Sequence, residues 1–302
     1  MKRKLVKQGA ATLMISLPAN WIKANHLDKG DEVDIGESNN DLVIKPGSLK
    51  KEKKEISLSI DGNNFHDLRV LLTHAYRKGF DRITLKGNTS SFYKETSEVC
   101  SRVLLGFEII ERTKDKIVLE NISIPDSSKY SSILSKVFVI ISEIQDMFIN
   151  NNLNYGEIRD TKDQSDKFIL FCRRIIFNKQ INLNPILEWE FLTFLTHIQH
   201  RYFYLAEYIL KNKIKLDKEI INLFVASKEY FSLFDKAYNE KDIVPINKIN
   251  SLKNKYQYGL CLELLNKSKG NNSIVLAYIT EIFRLIQIGT SPILSMRLEQ
   301  EN

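Results

Sequence analysis

The stretch RKLVKQGAATLMISLPANWIKANHLDKGDEV, residues 3–33, decides how the chain begins to fold. Its apolar residues come in short runs divided by turn formers, a pattern that suits short strands rather than a long helix. Lys2 to Lys7 reads as a first strand, Gln8-Gly9-Ala10 as a turn and Thr12 to Ser16 as a second strand. Ser16-Leu17-Pro18 then opens a short helix. Ser16 or Leu17 lies near its cap and Pro18 in the first turn, where a missing N–H costs nothing. Trp21, Ile22 and Asn25 suit an amphipathic helix. Leu27-Asp28-Lys29-Gly30-Asp31 turns the chain, with Gly30 free to take a positive φ. Further on, Val33 and Ile35 alternate with Asp34 and Gly36 as a third strand. Asn39-Asn40-Asp41 turns again, and Leu42-Val43-Ile44 forms a fourth strand ended by Pro46-Gly47.

Residues 1–48 hold about a dozen aliphatic side chains, too few to bury much surface alone. The segment is therefore expected to borrow its core from a second copy, making the protein a homodimer. Its charges are segregated. Residues 1–27 carry five basic groups (Lys2, Arg3, Lys4, Lys7, Lys23) and no acidic one. Residues 28–41 carry six acidic groups (Asp28, Asp31, Glu32, Asp34, Glu37, Asp41) against Lys29. A symmetric dimer doubles the positive edge, which suits nucleic-acid phosphates.

Arg3 to Gly9, Thr12 to Ser16, Leu17-Pro18, Trp21 and Leu27-Asp28-Lys29-Gly30-Asp31-Glu32-Val33 together resemble the SpoVT/AbrB DNA-binding domain, also called MazE-like. The resemblance covers nearly all of residues 1–48. It implies a swapped-hairpin β-barrel built by two chains, with DNA contacted by the basic first strand and its turn, here Arg3, Lys4 and Lys7. Lys2 and Lys23 are expected to add phosphate contacts and Thr12 a hydroxyl. In this set Arg3 alone offers the bidentate geometry that reads guanine, so shape readout would carry much of the specificity.

Residues 49–55, LKKEKKE, read as a charged linker. Residues 56–122 follow a β-α-β-α-β-β pattern: Ile56–Ile60 alternates as a strand, Asp67–Lys78 is a helix, Arg82–Lys86 a strand and Phe92–Leu105 a helix. Phe107–Arg112 and Lys116–Leu119 close a hairpin. This small α/β unit shows no chemistry, and His66 and His74 are isolated.

From 127 to 300 apolar residues recur at helical spacing. Six helices are expected: one through Ile133–Phe148, then about 156–178, one opened by Asn182-Leu183-Asn184-Pro185, and three at about 217–240, 247–267 and 273–298. They read as two consecutive three-helix bundles. The whole is multidomain and mainly α with an α+β N-terminal part, its domains at 1–48, 56–122 and 127–300. Asp163-Gln164-Ser165-Asp166-Lys167-Phe168 with Arg174, Ala206-Glu207-Tyr208-Ile209 and Arg284–Gly289 are similar to the PhoU domain of phosphate-uptake regulators. Where that family pairs acids four residues apart to hold metal, this chain has Thr196 and His200, and then Ser291 and Pro292. No metal or cofactor is therefore expected. His197 and His200 lack a third ligand. Asp163 and Asp166 read as a solvated acidic turn paired with Lys162 or Lys167. Tyr202-Phe203-Tyr204 with Tyr208 reads as core or as a partner surface.

Composition narrows the function class. In 302 residues, 43% hydrophobic and 27% charged residues describe a folded chain, and a net charge of +7 requires any basic footprint to be local. Cys100, Cys172 and Cys261 are far apart and odd in number, as expected of buried thiols in a reducing compartment. No run reaches the roughly 18 apolar residues of a membrane span. The MKRK start leads into an apolar run broken at Lys7-Gln8-Gly9 and stopped at Pro18, unlike a signal peptide. The expectation is a cytoplasmic protein. GxxxxGK[ST], GxGxxG, GxSxG and HExxH are all missing, no nucleophile–base pair can be placed, and an enzyme is the least expected class. The reading is a dimeric DNA-binding transcriptional regulator of the phosphate-uptake type, whose helical tail receives a signal or a protein partner. Its alternative is an adaptor that binds a transporter or sensor kinase through the tail and uses the barrel only to dimerise. An antitoxin would leave about 250 residues without a role, since antitoxin tails are usually short.

Overall fold

The computed structural model describes residues 2–9, 12–38, 41–47, 53–60, 62, 65–123, 127–178, 181, 183–240 and 242–299. The chain divides into two compact units, Met1–Lys53 and Lys54–Asn302.

The first unit begins with a hairpin, β1 (Val6–Gln8) against β2 (Thr12–Met14), in antiparallel register with Lys7 opposite Leu13. Both strands are shorter than the pattern predicts, because only these residues find ladder partners. Lys2–Leu5 and Ile15–Ser16 carry no strand. Helix α1 (Ala19–Ala24) corrects the expected start. Pro18 is the N-cap itself, with an extended ψ of 129°, and its carbonyl accepts from the Ile22 N–H at 3.0 Å. A Pro needs no donor there either, which is why the sequence signal falls one position off. Gly30 does take a positive φ, +104°, beside an Asp28 N–H bonded to Asp31 Oδ2 at 2.7 Å. Strands β3 (Val33–Ser38) and β4 (Asp41–Pro46) form a second antiparallel pair with Ile35 opposite Ile44. Gly47 closes it: its N–H bonds Glu32 O at 2.9 Å, and a Cβ there would lie 2.2 Å from that oxygen. The turn residues Ala10 and Asn39–Asn40 lie outside the described residues. The hairpins are two separate sheets, and the described residues of one chain close no barrel.

The second unit opens with β5 (Glu55–Ser59), α2 (Phe65–Arg77), β6 (Arg82–Lys86), α3 (Tyr93–Val103), β7 (Phe107–Arg112) and β8 (Lys116–Asn121). Their sheet order is β5-β6-β8-β7, with β5 and β6 parallel around the α2 crossover and the remaining pairs antiparallel. The element order follows the sequence pattern. The linker reading needs correction at its end: Lys54 O accepts from the Asp81 N–H at 2.7 Å and Glu55 already belongs to β5, while residues 49–52 lie outside the described residues. Leu68, Leu72, Tyr76, Ile83, Leu85 and Val99 fill a core beneath the sheet.

The helical part comprises α4 (Tyr130–Ile149), α5 (Tyr155–Phe177), α6 (Pro185–Lys211), α7 (Lys218–Asn239), α8 (Val244–Lys255), α9 (Cys261–Lys267), α10 (Asn271–Ile288) and α11 (Thr290–Leu298). Side-chain caps set three starts: Asn154, Asn184 before Pro185, and Asp217 each accept first-turn N–H bonds. Asn182, expected at the third start, lies outside the described residues. Two of the six expected helices are divided. A π-helical turn, Tyr256–Leu260, separates α8 from α9, and Gly289 separates α10 from α11. A Cβ at Gly289 would come within about 3.1 Å of Phe194 and Phe234, so the break sits at a tight helix crossing. Phe148, Phe191, Phe224, Phe231, Phe234 and Phe283 lie in one continuous core. Asn271–Leu298 has the length and apolar content of a membrane span. Its Val275, Ile279, Ile282, Phe283 and Ile286 are buried in this core, with α10 packed on α6 and α7. α5 joins the two layers, packing on α2 and α3 as well as on α4 and α6, and its Leu170 belongs to the core under the sheet.

Candidate nucleic-acid interface

Lys2, Arg3, Lys4, Lys7, Thr12 and Lys23 are all exposed. Among the described residues none of the five cations forms an ion pair, so their charge stays available to a polyanion. They do not form one row. Opposite residues of an antiparallel pair share a face, which sets Lys7 with Leu13 and sets Thr12 with Gln8 on the other side. Lys2, Arg3 and Lys4 precede β1, and Lys23 stands in the last turn of α1. Thr12 and Lys7 therefore address different sides of the hairpin.

The apolar side chains of this unit explain its need for a partner. Leu27 is the one buried hydrophobic residue among those described, while Leu5, Val6, Leu13, Met14, Ile15, Ile35, Leu42 and Val43 are exposed. In register, Val33 and Ile35 share a face with Leu42 and Ile44, an aliphatic face that the single chain leaves open.

The helical residues singled out by sequence are rearranged. Asp163 and Asp166 are a buried tie rather than a solvated turn. Asp163 accepts from Arg69 at 3.0 Å and Arg102 at 2.9 Å, and Asp166 from Lys162 at 2.7 Å and His200 Nε2 at 2.9 Å. Burial alone would raise the Asp166 pKa, but His200 and Lys162 hold it down to about 2. The Lys162 pairing was expected; the links to α2, α3 and α6 were not, because they join residues up to 94 positions apart. Lys167 bonds Ser101 O instead. His197 is exposed and His200 turns to Asp166; no group of three or more His, Cys, Asp or Glu could hold a metal among the described residues. Tyr202 and Phe203 are core, with Tyr202 Oη bonded to Ser227 and Gln145, whereas Tyr204 is exposed. His74 is exposed and bonds Val70 O, and the side chain of His66 lies outside the described residues. The three cysteines are buried free thiols.

Sequence reasoning passed over Arg173 and gave Arg174 only as part of a motif. The signal was two adjacent arginines inside the otherwise apolar run FILFCRRIIF, residues 168–177. Arg174 is fully buried and donates to Tyr76 O and Phe80 O, both at 2.8 Å, and to Asp81 Oδ1 at 2.6 Å, fastening α5 to the α/β layer.

Residues 6–57 match the family described as antidote-toxin recognition MazE, bacterial antitoxin. The N-terminal segment is thus similar to the MazE family, which is AbrB-like. No curated protein and no solved structure matches the chain.

Proposed function

We propose that this protein is a dimeric DNA-binding transcriptional regulator whose N-terminal domain holds DNA and whose helical unit receives a signal or a protein partner. The observation that carries the reading is the MazE-like domain with unpaired cations and unburied aliphatic faces in the same short segment. Domains of that kind are typically dimeric and bind DNA or a toxin, and a second copy would cover Val33, Ile35, Leu42 and Ile44. The two chains together would form the swapped-hairpin barrel and present ten basic groups to phosphates. The antitoxin role named in the family's description accounts for residues 6–57 and assigns nothing to the compact unit Lys54–Asn302. The sequence similarity to the PhoU domain supports a signalling role for the helices, and the reading includes regulation of phosphate uptake and two three-helix bundles. The reading includes no catalytic step and no cofactor, and it places the protein in the cytoplasm.

The test is fluorescence anisotropy of the full chain on duplex DNA from its own upstream region, across a salt series, beside the Arg3→Ala/Lys7→Ala variant. Removing one cation that neutralises a phosphate should lower the slope of log K against log salt by about 0.9, so the double variant, which loses two cations from each chain of the dimer, should flatten it by roughly 3.6. Binding with an unchanged slope in the variant would move the interface off the first hairpin. Absence of binding at low salt would overturn the regulator reading in favour of an adaptor that works through its tail.

A further inference from the structure

Between α2, α5 and α6 lies an open cavity of about 460 Å³, within the range of small-molecule sites. Four cations line it, Arg69, Arg77, Lys162 and Arg173, against the single carboxylate of Asp166. Ion pairs account for two of the four. Arg69 reaches Asp163 and Lys162 reaches Asp166. Arg77 and Arg173 pair with no carboxylate among the described residues, although both guanidiniums stand near the ring of Trp189, at 5.7 and 5.3 Å from its centroid. Arg173 is only 7% exposed; its Nη2 donates to Thr193 and Thr196 Oγ1 at 3.2 and 3.4 Å, and its buried Nε has no acceptor.

Two guanidiniums beside one ring with no carboxylate in contact are costly, since Asp166 acts on Arg173 only through space and is itself paired with Lys162 and His200. The arrangement is relieved when an oxyanion accepts from both. Burial, then the charge of Arg77, lowers the Arg173 pKa to about 10, which still leaves it cationic at neutral pH. Apolar side chains line the same cavity, Val70, Val103, Ile169 and Leu170. A bare inorganic anion would leave them without a partner.

We infer that this cavity binds a small organic dianion of the phosphate-monoester class, its oxyanion between Arg77 and Arg173 and its apolar body against Val70, Ile169 and Leu170. The site is independent of the DNA-binding reading, since every residue in it belongs to the Lys54–Asn302 unit.

Equilibrium dialysis of the full chain at low ionic strength tests it, with phenyl phosphate, inorganic phosphate and phenol as probes. Phenyl phosphate should bind saturably at one site per chain and at least tenfold more tightly than inorganic phosphate, with phenol not retained. Arg77→Gln, at a half-exposed position, should raise the phenyl phosphate Kd tenfold or more. Lys78→Gln, which removes an exposed cation outside the cavity, should leave it unchanged. Arg173→Lys keeps the charge and loses the fork, and should weaken binding as Arg77→Gln does. The inference fails if neither phosphate compound binds. It fails equally if phenol binds as well as its phosphate ester, or if Arg77→Gln and Lys78→Gln have equal effects.

Discussion

Arg174 shows what one side chain can hold together. It stands beside the paired rings of Tyr76 and Phe107, at 5.1 and 5.4 Å from their centroids, and donates to two backbone carbonyls and a carboxylate at once. Arg174→Ala would remove the cation from the partly buried Asp81 carboxylate, leaving it the Lys54 N–H, and would take a donor from both carbonyls, a loss of about 3 kcal/mol. Arg174→Lys should recover only part, since one ammonium cannot reproduce a planar fork that serves three acceptors. Urea denaturation of the three proteins checks this: a loss below about 1 kcal/mol for Arg174→Ala would mean the junction does not depend on the residue. Such residues are poorly readable from sequence. The apolar frame of FILFCRRIIF marks two arginines as unusual, but the partners of Arg174, Tyr76, Phe80 and Asp81, stand more than 90 positions away. Separations of 94 and 61 positions likewise hid Arg69 and Arg102, the partners of Asp163, while Lys162–Asp166, four residues apart on one helix, could be anticipated.

Elements were readable where local chemistry decides them. Asn184-Pro185 and Asp217 mark helix starts because a cap bond forms within three residues. The break at Gly289 answers to Phe194 and Phe234 instead, residues far away in sequence, and the apolar spacing on either side of it conceals the break. The strand pattern of the first unit likewise gives the hairpins and leaves the covering of their faces to a partner. That covering can be tested at Ile35, which is 61% exposed in the single chain. Burying an Ile is worth about 1.5–3 kcal/mol and a two-fold interface counts it twice, so Ile35→Asp should raise the dimer Kd by roughly a hundredfold to ten-thousandfold. Sedimentation velocity at micromolar concentration should then show monomers for the variant and dimers for the wild type. An unchanged dimer in the variant would place the interface on another face.

The whole molecule joins a unit that lacks a core of its own to one that has two. Among the described residues, Leu27 alone is a buried hydrophobic residue in Met1–Lys53, whereas Lys54–Asn302 encloses one core under its sheet and another among its helices. Their stabilities should therefore depend on different variables. If a partner copy completes the first unit, its unfolding includes dissociation and its midpoint rises with concentration; the second unit unfolds as a single chain and its midpoint stays fixed. A tenfold rise in concentration adds about 1.4 kcal/mol per dimer, which for roughly a hundred residues of unfolding entropy lifts the midpoint by about 6 °C. Scanning calorimetry at two concentrations should show one transition that moves by this amount and one that does not. A first transition that ignores concentration would mean the N-terminal unit is stable without a second copy, and the aliphatic faces of its hairpins would then need another cover. A single transition that moves as a whole would mean the helical unit is itself part of the dimer. In that case a ligand held between α2, α5 and α6 would act on the same cooperative structure as the MazE-like segment, and the proposed signal would need no separate route to it.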